Sequence, residues 1–499
     1  MTTHEAGWAH ADGALKGPAW LREPRDINDI TPHLWSMTAH KDERGELRVG
    51  GLAVADVVAE HNTPAYLLDE EDFRTRARAF RDAFGAWEVF YAGKAFLCTA
   101  VARWVAEEGL SLDVCSEGEL TVALNAGFDP ARIGYHGNNK TVAELRHAVS
   151  IGVGRIIVDS FTEIERLAMI TADMGRRARV MVRVTSGVEA HTHEYIATAH
   201  EDQKFGFSIT GGDAFRAVQQ VLDTPGLELL GLHSHIGSQI FDSSGFEVAA
   251  RRVLALQARV SDELGVTLPE MDLGGGFGIA YTNVDDPSDP AQLATEMGKI
   301  VEHECKALGI DQPRLSIEPG RAIVGPAMCT VYTVGTVKGV ELDGGARRAY
   351  VSVDGGMSDN IRTALYGADY SATLASRTSR APAMLSRVVG KHCEAGDIVV
   401  IDRGGNSPVT LASGAHTIGT ITLRESLSLT GGSLVVTGSA APATPRTIHK
   451  TPDHVRIVRI SRNTYANRYV IRSASNRKSS LGTASPKMKS MGAMTSALM

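Results

Sequence analysis

The sequence predicts an α/β protein: a closed (β/α)8 barrel of the TIM type followed by a C-terminal, mainly β domain. Three observations support this. Eight short apolar runs recur, at Trp87–Tyr91, Ser111–Val114, Arg132–Tyr135, Arg155–Asp159, Arg179–Val184, Leu229–Ser234, Glu270–Leu273 and Arg314–Glu318. Helix-length amphipathic stretches separate most of them. Such alternation calls for parallel strands, because a crossover helix must return the chain before the next strand can run the same way. A polar or glycine-rich group follows each run, where a barrel gathers its chemistry. These groups are Lys94, Asp113, His136, Asp159, Arg183, His233 with His235, Gly274–Gly276, and Glu318. An open doubly wound sheet is the alternative to closure.

Ahead of the first run, Asp69 to Phe84 reads as an amphipathic helix, with Phe73, Ala77, Phe80 and Phe84 at helical spacing. Further helices are expected at Leu97–Glu108, Glu117–Ala126, Val142–Ser150, Thr162–Asp173, Asp213–Leu222, Phe246–Leu264 and Ala291–Leu308, several ending at or near glycine. After Arg321 the texture changes. Met328–Val340, Arg347–Val353 and Met384–Val389 carry strand signals without helical periodicity, so a second domain begins near residue 325. Leu34 to Val54 is expected to add an N-terminal strand to it. The division expected is 1–60 as an N-terminal extension, 61–325 as the barrel, 326–400 as the β domain and 401–499 as a divergent tail.

At 499 residues and 43% hydrophobic, the chain has room for two or three domains with a sizeable core. No segment approaches the roughly eighteen apolar residues of a membrane span, and the first thirty residues lack a secretory pattern. The cytoplasm is therefore the expected compartment, with no membrane partner. The five cysteines, Cys98, Cys115, Cys305, Cys329 and Cys393, are odd in number and lack metal-ligand spacing, so neither a disulfide framework nor a metal site is expected. The net charge of −7 conceals an asymmetry. Residues 401–499 contain thirteen Lys and Arg against three acidic residues, and no Phe, Trp or Cys. That basic tail lacks aromatic interleaving and any reader motif, so no nucleic-acid partner is expected. Segments such as His454–Ile460 and Asn467–Ile471 suit strands, and disorder is expected from about Ser473.

Five motifs carry chemistry. Lys94, in Tyr91-Ala92-Gly93-Lys94, follows an apolar strand among small and aromatic neighbours, where an amine suited to forming an imine with an aldehyde would sit; a solvated surface role is the ordinary alternative. Gly274, Gly275 and Gly276 let backbone N–H groups approach an anion, phosphate being the natural guest, although such a run also serves as a tight turn. In His233-Ser234-His235-Ile236-Gly237-Ser238 an imidazole could stack on a flat ring and Ser238 could donate to phosphate; histidines satisfied within the barrel wall are the alternative. Glu318 and Arg321 close the eighth strand. A carboxylate against a pyridine nitrogen keeps it protonated and improves its capacity to accept electrons, while an ordinary salt bridge has the same spacing. In the β domain Arg362 offers a planar fork for a carboxylate, Tyr366 a neutral hydrogen-bonding group, and Cys393, beside Glu394, either a proton or mere packing.

The ordered set Tyr-Ala-Gly-Lys-Ala, Asp113 with Ser116-Glu117-Gly118-Glu119, His136-Gly137-Asn138-Asn139-Lys140, His-Ile-Gly-Ser-Gln, Gly-Gly-Gly-Phe-Gly, Glu-Pro-Gly-Arg, Met-Ser-Asp-Asn-Ile-Arg and Cys-Glu-Ala-Gly-Asp resembles the diaminopimelate decarboxylases, and more widely the alanine-racemase-like fold group, from about residue 30 to 400. The resemblance implies pyridoxal 5'-phosphate as cofactor and decarboxylation of meso-2,6-diaminopimelate to L-lysine, the last step of lysine synthesis. It implies that Lys94 holds the cofactor, His235 stacks on its ring, Ser238 and Gly274–Gly276 hold its phosphate, and Glu318 pairs with its ring nitrogen. Arg321, Arg362, Tyr366 and Glu394 would bind the small-molecule substrate. The implied partner is a second copy of the chain: in a head-to-tail homodimer with shared active sites, Cys393 reaches the other subunit's site to protonate the product. An ornithine- or arginine-type decarboxylase on the same fold, or a catalytically dead pyridoxal-phosphate binder, are the other readings.

Two departures stand out. Thr363 replaces the proline that usually follows the arginine in this family. After Val400 the family's acidic strand segment and its Gly-Ala-Tyr segment are missing, Gly414-Ala415-His416 being the nearest echo. Charge reversal, loss of large apolar residues and the end of resemblance coincide there. An out-of-frame or fused tail is the expected cause, with a β domain short of strands, an unpaired edge and impaired activity as its consequences.

Overall fold

The computed structural model describes residue 26, residues 28–187, 204–283, 285–342, 347–380 and 383–401, and five backbone strand segments between 409 and 472. Eight parallel strands close on themselves: Glu88–Ala92, Ser111–Val114, Ile133–Tyr135, Arg155–Val158, Ala178–Thr185, Leu227–Ser234, Glu270–Asp272 and Arg314–Ile317. Each bonds to the next, and the eighth returns to the first with Ser316 opposite Glu88 and Ile317 opposite Val89. An open sheet is thereby excluded. Each expected run overlaps its strand, with the ends displaced by at most two residues.

The helices between the strands owe their limits to local chemistry. Asp69 caps Glu70–Ala83 by accepting from the Glu71 and Asp72 amides, and Thr141 and Glu144 form a reciprocal capping box on Val142–Ile151. The long helix Ser244–Leu264 stops at Gly265, whose φ of +67° suits glycine. Packing inside the sheet is tight enough to dictate composition. A Cβ on Gly231 in the sixth strand would lie 1.9 Å from the Glu270 carbonyl oxygen of the seventh.

Charged residues at the strand starts seal the barrel end opposite the strand carboxyl termini. Arg155 donates from Nε to Glu270 (2.7 Å) and from Nη2 to Glu88 (2.6 Å), its guanidinium stacked 4.9 Å over Phe90. Ser111 donates to Glu88 at 2.7 Å, and Arg314 pairs with Glu270. Burial alone would lower the Arg155 guanidinium's affinity for its proton, but the two glutamates outweigh it and raise it.

Met328–Glu341 is the spine of the β domain. It pairs antiparallel with Arg347–Val353 and with Ala65–Asp69, and Ala383–Val389 then runs parallel to Arg347–Val353 and antiparallel to Ile398–Val400. Ala65–Asp69, buried along its whole length, leads directly into helix Glu70–Ala83. The chain therefore crosses the β sheet before entering the barrel, and one continuous set of buried side chains joins Tyr66, Leu68, Met328 and Tyr332 to the barrel wall.

The strand expected within Leu34 to Val54 does not join this sheet. That stretch folds as a separate three-stranded sheet, His40–Lys41, Leu47–Val49 and Leu52–Ala53. Turns at Gly45, Gly50 and Gly51, all with positive φ, cut it too short for a central strand, whereas Ala65–Asp69 is uninterrupted. Beyond residue 400, Thr420–Arg424 pairs with Cys329–Thr333 and Ser433–Thr437 with Ala65–Asp69, so the edge expected to be bare is paired. Arg456–Ser461 and Val470–Arg472 fall close to the two expected tail strands. The disorder expected from about Ser473 and the Gly414-Ala415-His416 echo lie outside the described residues, as do most of the first thirty. Among the described residues no helix is long and apolar enough to cross a membrane.

Replacing Arg155 by Met strips the buried Glu270 carboxylate of one partner and Glu88 of its cation. The expected cost is roughly 3 kcal/mol, visible as a lower midpoint of denaturant unfolding; an unchanged midpoint contradicts the seal.

Candidate active site

The carboxyl ends of six strands surround a cavity of about 320 Å³, near the lower limit of roughly 300–1,000 Å³ for small-ligand pockets. The first strand contributes Ala92, Gly93 and Lys94, the second Asp113 and Cys115, and the third His136 to Asn138. Arg183, His233, His235 and Glu318 complete it with Phe205. Lys94 sits in a single 3-10 turn, Gly93–Ala95, and that turn requires glycine because a Cβ at Gly93 would meet the Asp113 carbonyl oxygen at 2.6 Å. Among the described residues the Lys94 ammonium group has no hydrogen-bond or ion-pair partner.

A compact group of carboxylates and imidazoles forms the most buried part of the cavity. The Glu318 Oε1 atom is 2.8 Å from His233 Nε2 and 3.4 Å from His136 Nε2, and His136 Nε2 is also 3.1 Å from Asp113 Oδ1. The two imidazole rings meet edge to face at 5.1 Å. Burial drives the Glu318 carboxyl upward, but the neighbouring imidazoles, His233 first and then His136, outweigh it and hold the group well below the usual carboxylate range. Asp113 goes the other way: burial first, then the charges of Glu318 and Asp272, push it well above that range. Of this coupled pair Glu318 carries the charge and Asp113 the proton. Behind them Asp272 is raised to about 6 by burial and by Glu318, against the opposing pull of His233 and the Ser316 hydroxyl. The ligand atoms of His136, His233 and Glu318 lie within 4.8 Å of one another, a spacing that suits a metal ion; here it arises because Glu318 Oε1 faces both rings.

His235 is held well below the ordinary histidine value, chiefly by burial and next by Lys94, and is neutral. Its Nδ1 accepts the Gly275 amide at 3.2 Å, which assigns the ring proton to Nε2. The glycine run that supplies this amide packs directly on neighbouring strand ends. A Cβ at Gly274 would lie 2.4 Å from the Ser234 carbonyl oxygen, at Gly275 2.2 Å from that of Glu318, and at Gly276 2.7 Å from that of Gly237. Close packing thus accounts for all three glycines, in addition to any anion they hold. Alongside, Arg321 donates from Nη2 to the Ser238 hydroxyl at 2.8 Å and from Nη1 to the Tyr281 hydroxyl at 2.9 Å.

The expected site residues therefore fall into four groups. Lys94, His235 and Glu318 line the cavity; the glycine run Gly274–Gly276 adjoins it through the bond from Gly275 to His235, and Arg321 is bonded to Ser238, three residues after His235. Arg362 and Tyr366 lie further out, the guanidinium 5.0 Å from the Tyr366 ring and 6.0 Å from the Tyr281 ring. Cys393 and Glu394 are exposed and do not line this cavity. Residues given no role from the sequence include His136, His233 and Arg183, whose place after a strand was the available signal, Asn138, which lay in a motif that carries the resemblance, and Cys115 and Phe205, which had no signal. Arg183 is held by Asp159 at 3.7 Å and stacks 4.3 Å from Phe205.

Comparison with known proteins agrees with this geometry. Residues 70–325 match the family described as pyridoxal-dependent decarboxylase, pyridoxal binding domain. A diaminopimelate decarboxylase of Mycobacterium leprae (strain TN) is 53% identical over 409 residues, covering 81% of this chain and 87% of that protein. Its namesake in Bacillus subtilis (strain 168) is 43% identical over 369 residues, 73% of this chain and 83% of that one. The solved structure of diaminopimelate decarboxylase from M. jannaschii in co-complex with L-lysine superposes with a TM-score of 0.72 at 25% identity, covering 81% of this chain and 93% of that one. The chain belongs to the diaminopimelate decarboxylase family of pyridoxal-dependent decarboxylases.

Proposed function

We propose that this chain decarboxylates meso-2,6-diaminopimelate to L-lysine and carbon dioxide, with pyridoxal 5'-phosphate as cofactor. The observation that carries the reading is the convergence of Lys94, His235 and Glu318, from the first, sixth and eighth strand ends, on one cavity in a chain 53% identical to a diaminopimelate decarboxylase. The ornithine- or arginine-type reading is not favoured, since relatives at 43% to 53% identity bear the diaminopimelate decarboxylase name.

The residues present fit the cofactor. A lysine amine without a partner among the described residues faces the cavity, a carboxylate kept charged lines it too, the Gly275 amide reaches His235, and Ser238 and Arg321, bonded to each other, offer further anion-binding groups. When bound, pyridoxal phosphate supplies an electron sink for the pair left behind as carbon dioxide departs. Lys94 would hold the group, Glu318, kept charged, would keep a proton on its ring nitrogen, and neutral His235 would stack on it without adding charge. Arg321, Arg362, Tyr366 and Glu394 bind and orient the substrate's carboxylate and distal amino groups.

The bond from the α-carbon to its carboxylate breaks, carbon dioxide leaves, and the carbon takes a proton in its place. We assign that proton to the Cys393 thiol. Because Cys393 and Glu394 stand away from the cavity of their own chain, the reading has them complete the site of a second copy.

Borohydride treatment of the holoprotein is expected to leave a pyridoxyl group on Lys94, found by peptide mass spectrometry; its absence there overturns the cofactor assignment. Mixing Lys94→Ala with Cys393→Ala, each inactive alone, should restore up to about a quarter of the wild-type rate through hybrid dimers with one intact site, and no recovery contradicts shared sites. The pH dependence follows from the two depressed groups. Glu318 loses its charge only below the ordinary carboxylate range, and His235 gains one only well below the ordinary histidine value. Cofactor affinity of the apoprotein should therefore stay level as pH falls from 8 through about 6.5. Glu318→Gln should lower kcat by roughly 100-fold or more by removing the charge that faces the ring nitrogen.

A further inference from the structure

Two buried tyrosines stand between the barrel and the β domain, and neither belongs to the groups assigned above. Tyr281 follows the glycine run after the seventh strand, and Tyr370 follows the short helix Arg362–Tyr366. They are 6% and 1% exposed, and their rings meet edge to face at 5.2 Å. Each hydroxyl accepts from a different arginine: Tyr281 from Arg321 Nη1 at 2.9 Å and Tyr370 from Arg362 Nε at 3.1 Å. The Tyr281 ring is also 6.0 Å from the centre of both guanidinium groups. Its backbone carbonyl accepts the Ser371 hydroxyl at 2.9 Å, tying the strand-seven loop to the β domain.

Among the described residues neither Arg321 nor Arg362 has an ion-pair partner. That choice of partner has a consequence. A carboxylate would fix a guanidinium equally well but cancel its charge, whereas a phenol oxygen or an aromatic face orients it and leaves the charge available. Two cations held this way, each 6.0 Å from one ring, form a receptor for an anionic ligand.

We propose that Tyr281 and Tyr370 are positioning residues that set the two substrate-facing guanidiniums of Arg321 and Arg362, and so select a substrate carrying two carboxylates. The inference deepens the proposed function and rests on Arg321 and Arg362 binding substrate. Tyr281 has a further effect, because Arg321 also donates to Ser238 beside the phosphate-binding groups. The two tyrosines should therefore separate in experiment.

The test uses the full-length protein and three variants, Tyr370→Phe, Tyr281→Phe and Arg362→Lys. Steady-state kinetics with meso-diaminopimelate are measured beside pyridoxal phosphate affinity, read by titrating apoprotein. Tyr370→Phe is expected to raise KM about tenfold, the worth of one hydrogen bond to a charged group, with a much smaller change in kcat and no change in cofactor affinity. Tyr281→Phe is expected to raise KM similarly and also to weaken cofactor affinity several-fold. Wild-type KM in both phenylalanine variants, beside a raised KM in Arg362→Lys, overturns the tyrosine assignment and leaves the proposed function standing. An unchanged KM in Arg362→Lys removes Arg362 from substrate binding and the inference with it. Loss of kcat and of thermal stability without a KM change marks a packing role and likewise overturns the proposal.

Discussion

Closure of the barrel between the eighth and first strands is the constraint on which the rest depends. The pairing of Ser316 with Glu88 and Ile317 with Val89 brings together two segments more than two hundred residues apart in the chain. It continues past the strands, where the Ala92 amide donates to the Pro319 carbonyl at 3.1 Å. Lys94 and Glu318 leave these two strand ends and so face the same cavity. An open sheet would leave its two edge strands far apart, and no change of side chain could bring the groups together.

Within that cavity, burial does unequal work on chemically similar groups. Asp113 and Glu318 are both carboxyls at strand ends, yet one is kept protonated and the other charged. The difference lies in what surrounds them: Glu318 has His233 at 2.8 Å and His136 at 3.4 Å, while Asp113 faces the charges of Glu318 and Asp272. Of Asp113 and Glu318 only the second is charged, where two charges would repel. The seal of Arg155, Glu88, Glu270 and Arg314 at the opposite end of the barrel keeps a second set of charges paired and away from the site.

The β domain enters the site through contacts that its secondary structure alone does not suggest. Ala65–Asp69 hydrogen-bonds to Met328–Val331 before the chain starts the barrel, so the two parts share a core from the outset. Across that boundary Tyr281 meets Tyr370, and Arg321 of the barrel and Arg362 of the β domain both lie 6.0 Å from the Tyr281 ring. The placement of these two guanidinium groups is thus set by how the two parts pack.

Periodicity was enough to locate the eight barrel strands and the helices between them, because alternating apolar runs and amphipathic stretches are local properties of the chain. Position after a strand also made Lys94, His235, Glu318 and the glycine run legible, since a barrel directs every such residue to one end. Other features depended on partners distant in sequence. The strand that joins the β sheet is Ala65–Asp69 rather than one within Leu34 to Val54, a choice made by which stretch lies uninterrupted against Met328–Val331. Phe205 reaches the cavity from beyond a strand end, and Tyr281 and Tyr370 acquire meaning only beside two arginines from different domains. Residue order therefore determined the elements and the chemistry available at their ends. Tertiary packing alone decided which carboxyl is charged, which imidazole is neutral and which cations remain unpaired, because burial and neighbouring charge act through space and carry no signature along the chain.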